Sequence, residues 1–131
     1  MRAAVGLLLA LLLVGCRQQT PDATAAGFTI SLRGETAEAV VGPTTLYIRI
    51  VDAQGQVVTN AEVKARGDMN HAGMVPVLAD AVRVENEEYV VPFEWTMAGA
   101  WIVEITAKLP DGTTISEKFD RSVARPSTGT G

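Results

Sequence analysis

The chain has one cysteine, one histidine and few aromatic residues: two tryptophans, two tyrosines and three phenylalanines among 131 positions. A single cysteine, Cys16, excludes an intramolecular disulfide and any site built from several thiolates. Basic charge is also short, since 11 Lys and Arg against 15 Asp and Glu leave a formal net charge of −4, and the cations form no cluster. Nucleic acid and anionic lipid are therefore poor partners, and the scarcity of rings argues against a stacking platform for bases or sugars. No apolar run is long enough to span a bilayer; the longest, residues 3–14, falls well short. A Gly-rich phosphate loop and a dinucleotide fingerprint are both missing, and no serine lies near the lone His71, so neither nucleotide chemistry nor a serine–histidine–acid triad is indicated. Glu85, Glu87 and Glu88 cluster beside a turn and read as a solvated loop rather than an acid/base pair. A non-enzymatic protein is expected.

What is present starts at the N-terminus. Met1 and Arg2 make a short positive start, the apolar run follows, and "LVGC" closes it at Cys16. This is the build of a secretory signal segment. The closing tetrapeptide resembles a bacterial lipobox, which implies that Cys16 is lipidated and heads the mature chain. Removal of residues 1–15 takes Arg2 with it and moves the formal charge from −4 to −5. The acyl chains would then supply the membrane contact, on the extracytoplasmic face of a bacterial membrane (periplasm or cell surface). The polar, proline-containing stretch after Cys16 predicts a flexible tether over 16–27. A folded domain is expected over 28–123 and an unstructured tail over 124–131.

The domain segment alternates with period two. "FTISLR" puts Phe28, Ile30 and Leu32 on one face, and "TLYIRIV" does the same with Leu46, Ile48 and Ile50. "AEVKAR" offers Ala61, Val63 and Ala65. "YVVPFEW" aligns Tyr89, Val91, Phe93 and Trp95, and "AWIVEITAKL" aligns Trp101, Val103, Ile105, Ala107 and Leu109. "PDGT" makes a hairpin turn into "TISEKF", where Glu117 interrupts the inward row of Ile115 and Phe119; a bulge or an edge position would resolve this. A weaker strand is expected over 81–85, and Pro92 belongs at an edge or a bulge. About seven short strands in one domain predict an all-β fold, an immunoglobulin-like antiparallel β-sandwich, with a small barrel as the alternative. Trp95 and Trp101 are expected to supply the aromatic mass of its core.

"GDMNHAGMVPV" breaks the alternation. It sets His71 between Met69 and Met74, with Gly73 available for a turn. Two thioethers and an imidazole suit Cu(I) better than magnesium, calcium or zinc, and the neutral donors suit capture and transfer. On a straight strand Met74 would point away from Met69 and His71, so the turn is a requirement of the site. Met97, in "WTMAGAW", is a further donor by chemistry, although its register continues the inward face of Tyr89 to Trp95 and favours core packing. The competing reading is that the methionines fill gaps beneath a loop over one end of the sandwich, or form an adaptable apolar contact surface.

"GDMNHAGM" followed by "EEYVVPFEWTMAGAWIVEITAKLPDG" resembles the YtkA-like domain family, which is related to FixH-like proteins. The matching positions are Met69, His71 and Met74, then Tyr89, Trp95, Met97, Gly99 and Trp101. The resemblance spans about residues 28–123. It implies an exported or membrane-anchored β-sandwich linked with copper handling or respiratory-oxidase assembly, and hence a protein of that kind as partner. The chain departs from the membrane-spanning FixH pattern in carrying a lipid-anchor motif, and it has fewer Met and His residues than dedicated copper carriers.

Overall fold

Residues that alternate inward and outward over six to ten positions can bury one face only as strands, and strands they form. The computed structural model describes residues 24–25, 27–71 and 73–128. Cys16, the signal segment, most of the 16–27 tether and the last residues of the tail lie outside that range. In chain order the strands are β1 (Thr24–Ala25), β2 (Phe28–Gly34), β3 (Ala39–Val40), β4 (Gly42–Val51), β5 (Glu62–Met69), β6 (Val77–Asp80), β7 (Arg83–Glu85), β8 (Glu88–Trp95), β9 (Gly99–Lys108) and β10 (Thr114–Ala124). Three of these ten have only two or three residues, which leaves seven substantial strands. One sheet runs β1-β2-β4-β8-β7 and the other β3-β10-β9-β5-β6. Pairing is antiparallel except between β3 and β10. The architecture is the expected two-sheet, immunoglobulin-like sandwich, with no helix among the described residues.

The inward rows meet between the sheets. Ile30, Leu32, Leu46, Ile48, Ile50, Val91 and Phe93 from one sheet face Val63, Ala65, Val103, Ile105, Ala107 and Ile115 from the other, all buried. Trp95, Trp101 and Phe93 gather at one end. Their ring centroids stand 5.0 Å apart for Phe93–Trp95 and 5.2 Å for Trp95–Trp101, each pair edge to face. Three rings need room, and the opposing strand supplies it at Gly67: a Cβ there would stand 2.5 Å from Phe93 Cζ and 3.1 Å from the Trp101 ring. The rings lie directly against bare backbone.

Four details refine the sequence expectations. The strand expected over 81–85 is confined to Arg83–Glu85, and β6, which ends at Asp80 in the other sheet, was not expected at all. Ala81 N–H donates to Val63 O at 3.0 Å in one sheet, and the very next residue, Val82, donates to Val90 O at 2.9 Å in the other. A crossing between sheets breaks the local period, which hid β6 from sequence reading. Strand pairing begins before residue 28, since Thr24 and Ala25 pair with Thr29 and Phe28. Glu117 is accommodated by an edge rather than a bulge: β10 pairs continuously with β9 from Thr114 to Val123, while its far side meets β3 only at Val123 and Ala124. Pro92 pairs with Thr45 of β4, and β7 stops short of it at Val90, so its missing N–H falls on the open side of β8.

Tyr89 ties the loop before β5 to β8. Its hydroxyl donates to Val58 O at 2.7 Å and accepts from Ala61 N–H at 3.0 Å. Burial pushes its pKa above the ordinary tyrosine value, against a smaller opposing effect of the Ala61 hydrogen bond.

Two predictions follow from the packing. Gly67→Ala forces Phe93 or the Trp101 ring to move, and the overpacking should cost about 1–3 kcal/mol, read from the midpoint of urea unfolding. Tyr89→Phe strands Val58 O and Ala61 N–H and should cost about 1–3 kcal/mol at neutral pH. Because the folded protein holds the Tyr89 proton more tightly than the unfolded chain, that contribution is complete below the unfolded pKa of about 10 and declines as pH rises toward the raised folded value. The wild type should therefore lose stability over that alkaline range, and Tyr89→Phe should lose less.

Candidate metal-binding rim

β5 carries its inward row through Val63, Ala65 and Gly67 to Met69, where the strand ends. Met69 sits opposite Trp101, so the loop that follows leaves the sheet beside the start of β9. It turns at once. His71 N–H donates to Met69 O at 2.9 Å, and Met69 N–H is held by the Asp68 carboxylate at 2.9 Å. Gly73 has a φ of 87°, the left-handed conformation that glycine adopts without steric cost, and the chain then enters β6 through Met74 to Pro76. The turn that the sequence reading required is thus present. Met69 and Met74 are half-buried and packed against the core, whereas His71 is exposed.

The β8–β9 turn lies at the same end. Trp101 Nε1–H donates to Met97 O at 2.9 Å, which pins the turn to the buried indole. Met97 itself is 45% exposed. The expectation that it packs in the core is therefore wrong: the inward register of β8 stops at Trp95, and the chain reverses before Met97 can follow it. Its thioether stands at the surface. Met69 reaches toward this turn, since its methyl carbon Cε lies 2.7 Å from where a Cβ on residue 99 would be. Gly99, with a φ of 133°, was not singled out as functional by sequence reasoning; the glycine within "MAGAW" was the available signal.

Three thioethers and the single imidazole thus come from two neighbouring segments at one rim of the sandwich. Beside Met69, a surface recess of about 350 Å³ opens between Arg66, Asp68, Asn70, Glu104 and Lys118. The charges along it are matched, with Arg66–Asp68 at 3.5 Å and Lys118–Glu104 at 4.0 Å. Among the described residues no group of three or more His, Cys, Asp or Glu could hold a metal ion. The carboxylates of the β7–β8 turn are engaged elsewhere. Glu88 forks onto Arg33 at 2.7 and 2.9 Å, Glu87 meets Arg49 at 3.1 Å, and Glu85 meets Arg83 at 2.9 Å.

A family model described as YtkA-like matches residues 22–106, more than half of the chain. The chain belongs to the YtkA-like family. The matched YtkA-like region takes in β1 to most of β9 and includes Met69, His71, Met74 and Met97. No curated protein matches the chain in sequence. Among solved structures it is similar to the Lin-41 filamin domain, with 19% identity, a TM-score of 0.54, and 79% of this chain and 99% of that one covered. It is also similar to the soluble domain of PmoD from Methylocystis sp., at 12% identity and TM-score 0.48 over 74% and 90% of the two chains. Murine CRIg aligns at 9% identity and TM-score 0.43 over 75% and 98%. At these identities the likeness is one of fold.

The pinned turn makes a prediction. Trp101→Phe removes the donor to Met97 O and should cost about 0.5–1.5 kcal/mol for the hydrogen bond, plus the cost of the smaller ring. Amide exchange at Ala98 and Gly99 should quicken more than exchange in the centre of β9, as measured by hydrogen–deuterium exchange.

Proposed function

We propose that the protein is a lipid-anchored, extracytoplasmic β-sandwich that captures or transfers a soft metal ion, Cu(I), at the rim formed by Met69, His71, Met74 and Met97. The observation that carries this reading is the adjacency of two donor-bearing segments at one end of the sandwich. The loop leaving β5 and the turn before β9 emerge side by side, one bringing Met69, His71 and Met74 and the other Met97. Thioether and imidazole are soft-to-borderline donors without net charge, so they match a monovalent soft ion and release it more readily than thiolates would. Membership of the YtkA-like family supports an envelope role, and the lipobox-like "LVGC" supports anchoring through Cys16. In this setting the partner is another copper-handling or oxidase-assembly protein of the envelope. The donor residues would hold the ion; the sandwich fixes where two of them start, and the Gly73 turn lets the other two approach.

A second reading, a protein-interaction module without metal, is favoured by the exposed apolar residues next to the rim. Val75 and Leu78 are 80% and 74% exposed, and Val82 and Val84 continue the same sandwich edge.

Titration of the full-length chain with Cu(I) against a chromogenic chelator separates the two. Met69→Leu, Met74→Leu and Met97→Leu keep apolar bulk and remove sulfur. Each should weaken binding about tenfold or more, and His71→Ala likewise. Affinity unchanged by all four would remove the metal reading and leave the interaction surface.

A further inference from the structure

We propose that Gly99 is a positioning residue of the rim. By lacking a side chain it seats the Met69 thioether against the β8–β9 turn, beside Met97. The functional consequence rests on the soft-metal reading above; the seat itself does not.

Two separate constraints act at this residue. The first is backbone: a φ of 133° is strained for any L side chain. The second is space: the Met69 methyl occupies the position that a Cβ would need, 2.7 Å away. Met69 Sδ is one bond from that methyl, so the sulfur is delivered to the first residues of β9 rather than left to sweep the surface. A methionine side chain has three rotatable bonds and many shapes of similar energy. Packing against the core at its root and lodging over Gly99 at its tip removes that freedom before any ion arrives. Met97 lies two residues before Gly99, in a turn held by the Trp101 indole. The Met69 thioether is therefore preset, and the backbone that carries Met97 is fixed beside it. Substitution at residue 99 would evict the tip of Met69 without touching a donor.

Gly42 provides a matched control. Its φ is 129°, almost the same strain, yet nothing stands within 4 Å of where its Cβ would be. The test compares Gly99→Ala with Gly42→Ala in the full-length chain carrying 13C-methyl methionine. In the metal-free wild type, the Met69 methyl should show an NOE to the Gly99 α-protons. Gly99→Ala should move the Met69 methyl resonance and weaken Cu(I) binding by about 10- to 100-fold, the range typical of losing a residue that orients a metal ligand. Gly42→Ala should leave both unchanged. Absence of the NOE, or an unmoved Met69 methyl in Gly99→Ala, overturns the seat. Equal loss of affinity in the two variants overturns it as well, because backbone strain would then be the cause. A wild type that keeps the NOE but binds no Cu(I) retires the metal reading and leaves the seat standing. If Gly99→Ala does not fold while Gly42→Ala does, the double variant Gly99→Ala/Met69→Ala should fold, since the clashing methyl is gone; a double variant that is also unfolded counts against the proposal.

Discussion

The structure depends on a wedge of three aromatic rings set against a strand that has been stripped of side chain. Phe93, Trp95 and Trp101 stack edge to face at one end of the core. Face-to-face sheets stand about 10 Å apart, a gap that ordinary aliphatic residues from both sides fill. Three rings overfill it unless the facing position is empty, and Gly67 is that position. Each edge-to-face pair adds about 0.5–1.5 kcal/mol beyond the area it buries, so the cluster is a strong local anchor. Its location also sets where the rim forms. Met69 follows Gly67 by two residues on the same face, and Trp101 faces Met69 across the pair. Once the rings choose this end, the last inward residue of β5 and the turn before β9 must meet there.

The candidate donors are carried in two different ways around the rim. Met97 is carried by a turn whose carbonyl is bonded to a buried indole, and Met69 is held at both ends by packing. His71 and Met74 ride on a seven-residue connection, 70–76, that bends at a left-handed glycine. If the rim holds an ion as proposed, a donor fixed beforehand would lower the entropy lost on capture, and donors on a loop would let the ion leave in steps. Permanent storage would call for all donors to be fixed.

Most of the fold was legible in the sequence because the long strands other than β10 keep their inward rows without a break. Ile30 and Leu32, Leu46 to Ile50, and Trp101 to Leu109 are all buried as their alternation requires. Legibility ended where register changed within a segment. The crossing at Ala81 and Val82 cut the strand expected over 81–85 back to Arg83–Glu85, and the reversal after Trp95 took Met97 out of the core row. The rim was half legible. Residue chemistry grouped Met69, His71 and Met74 as candidates, alternation required a turn between them, and Gly73 bends the chain there. Gly67 stayed hidden because it acts through an atom it lacks, and a pattern read from side chains does not register an absence; Gly99 was visible only as a position of the YtkA-like resemblance.

Packing and ligation need not compete for the same methionines. A charged ligand cannot wait half-buried without an opposite charge or a lowered ionisation, because desolvation penalises the ion. A thioether is neutral and apolar, so Met69 and Met74 gain from contact with the core while their sulfurs stay close to the surface. His71 is the exposed member of the set. The same property that makes methionine a filler of gaps, softness without charge, makes it a donor that can be stored in the edge of a hydrophobic core. A rim built this way remains stable when no ion is bound, and it needs no counter-charge to stay folded. The proposed donors thus sit at the aromatic end of the sandwich, while the carboxylates of the β7–β8 turn are paired to arginines.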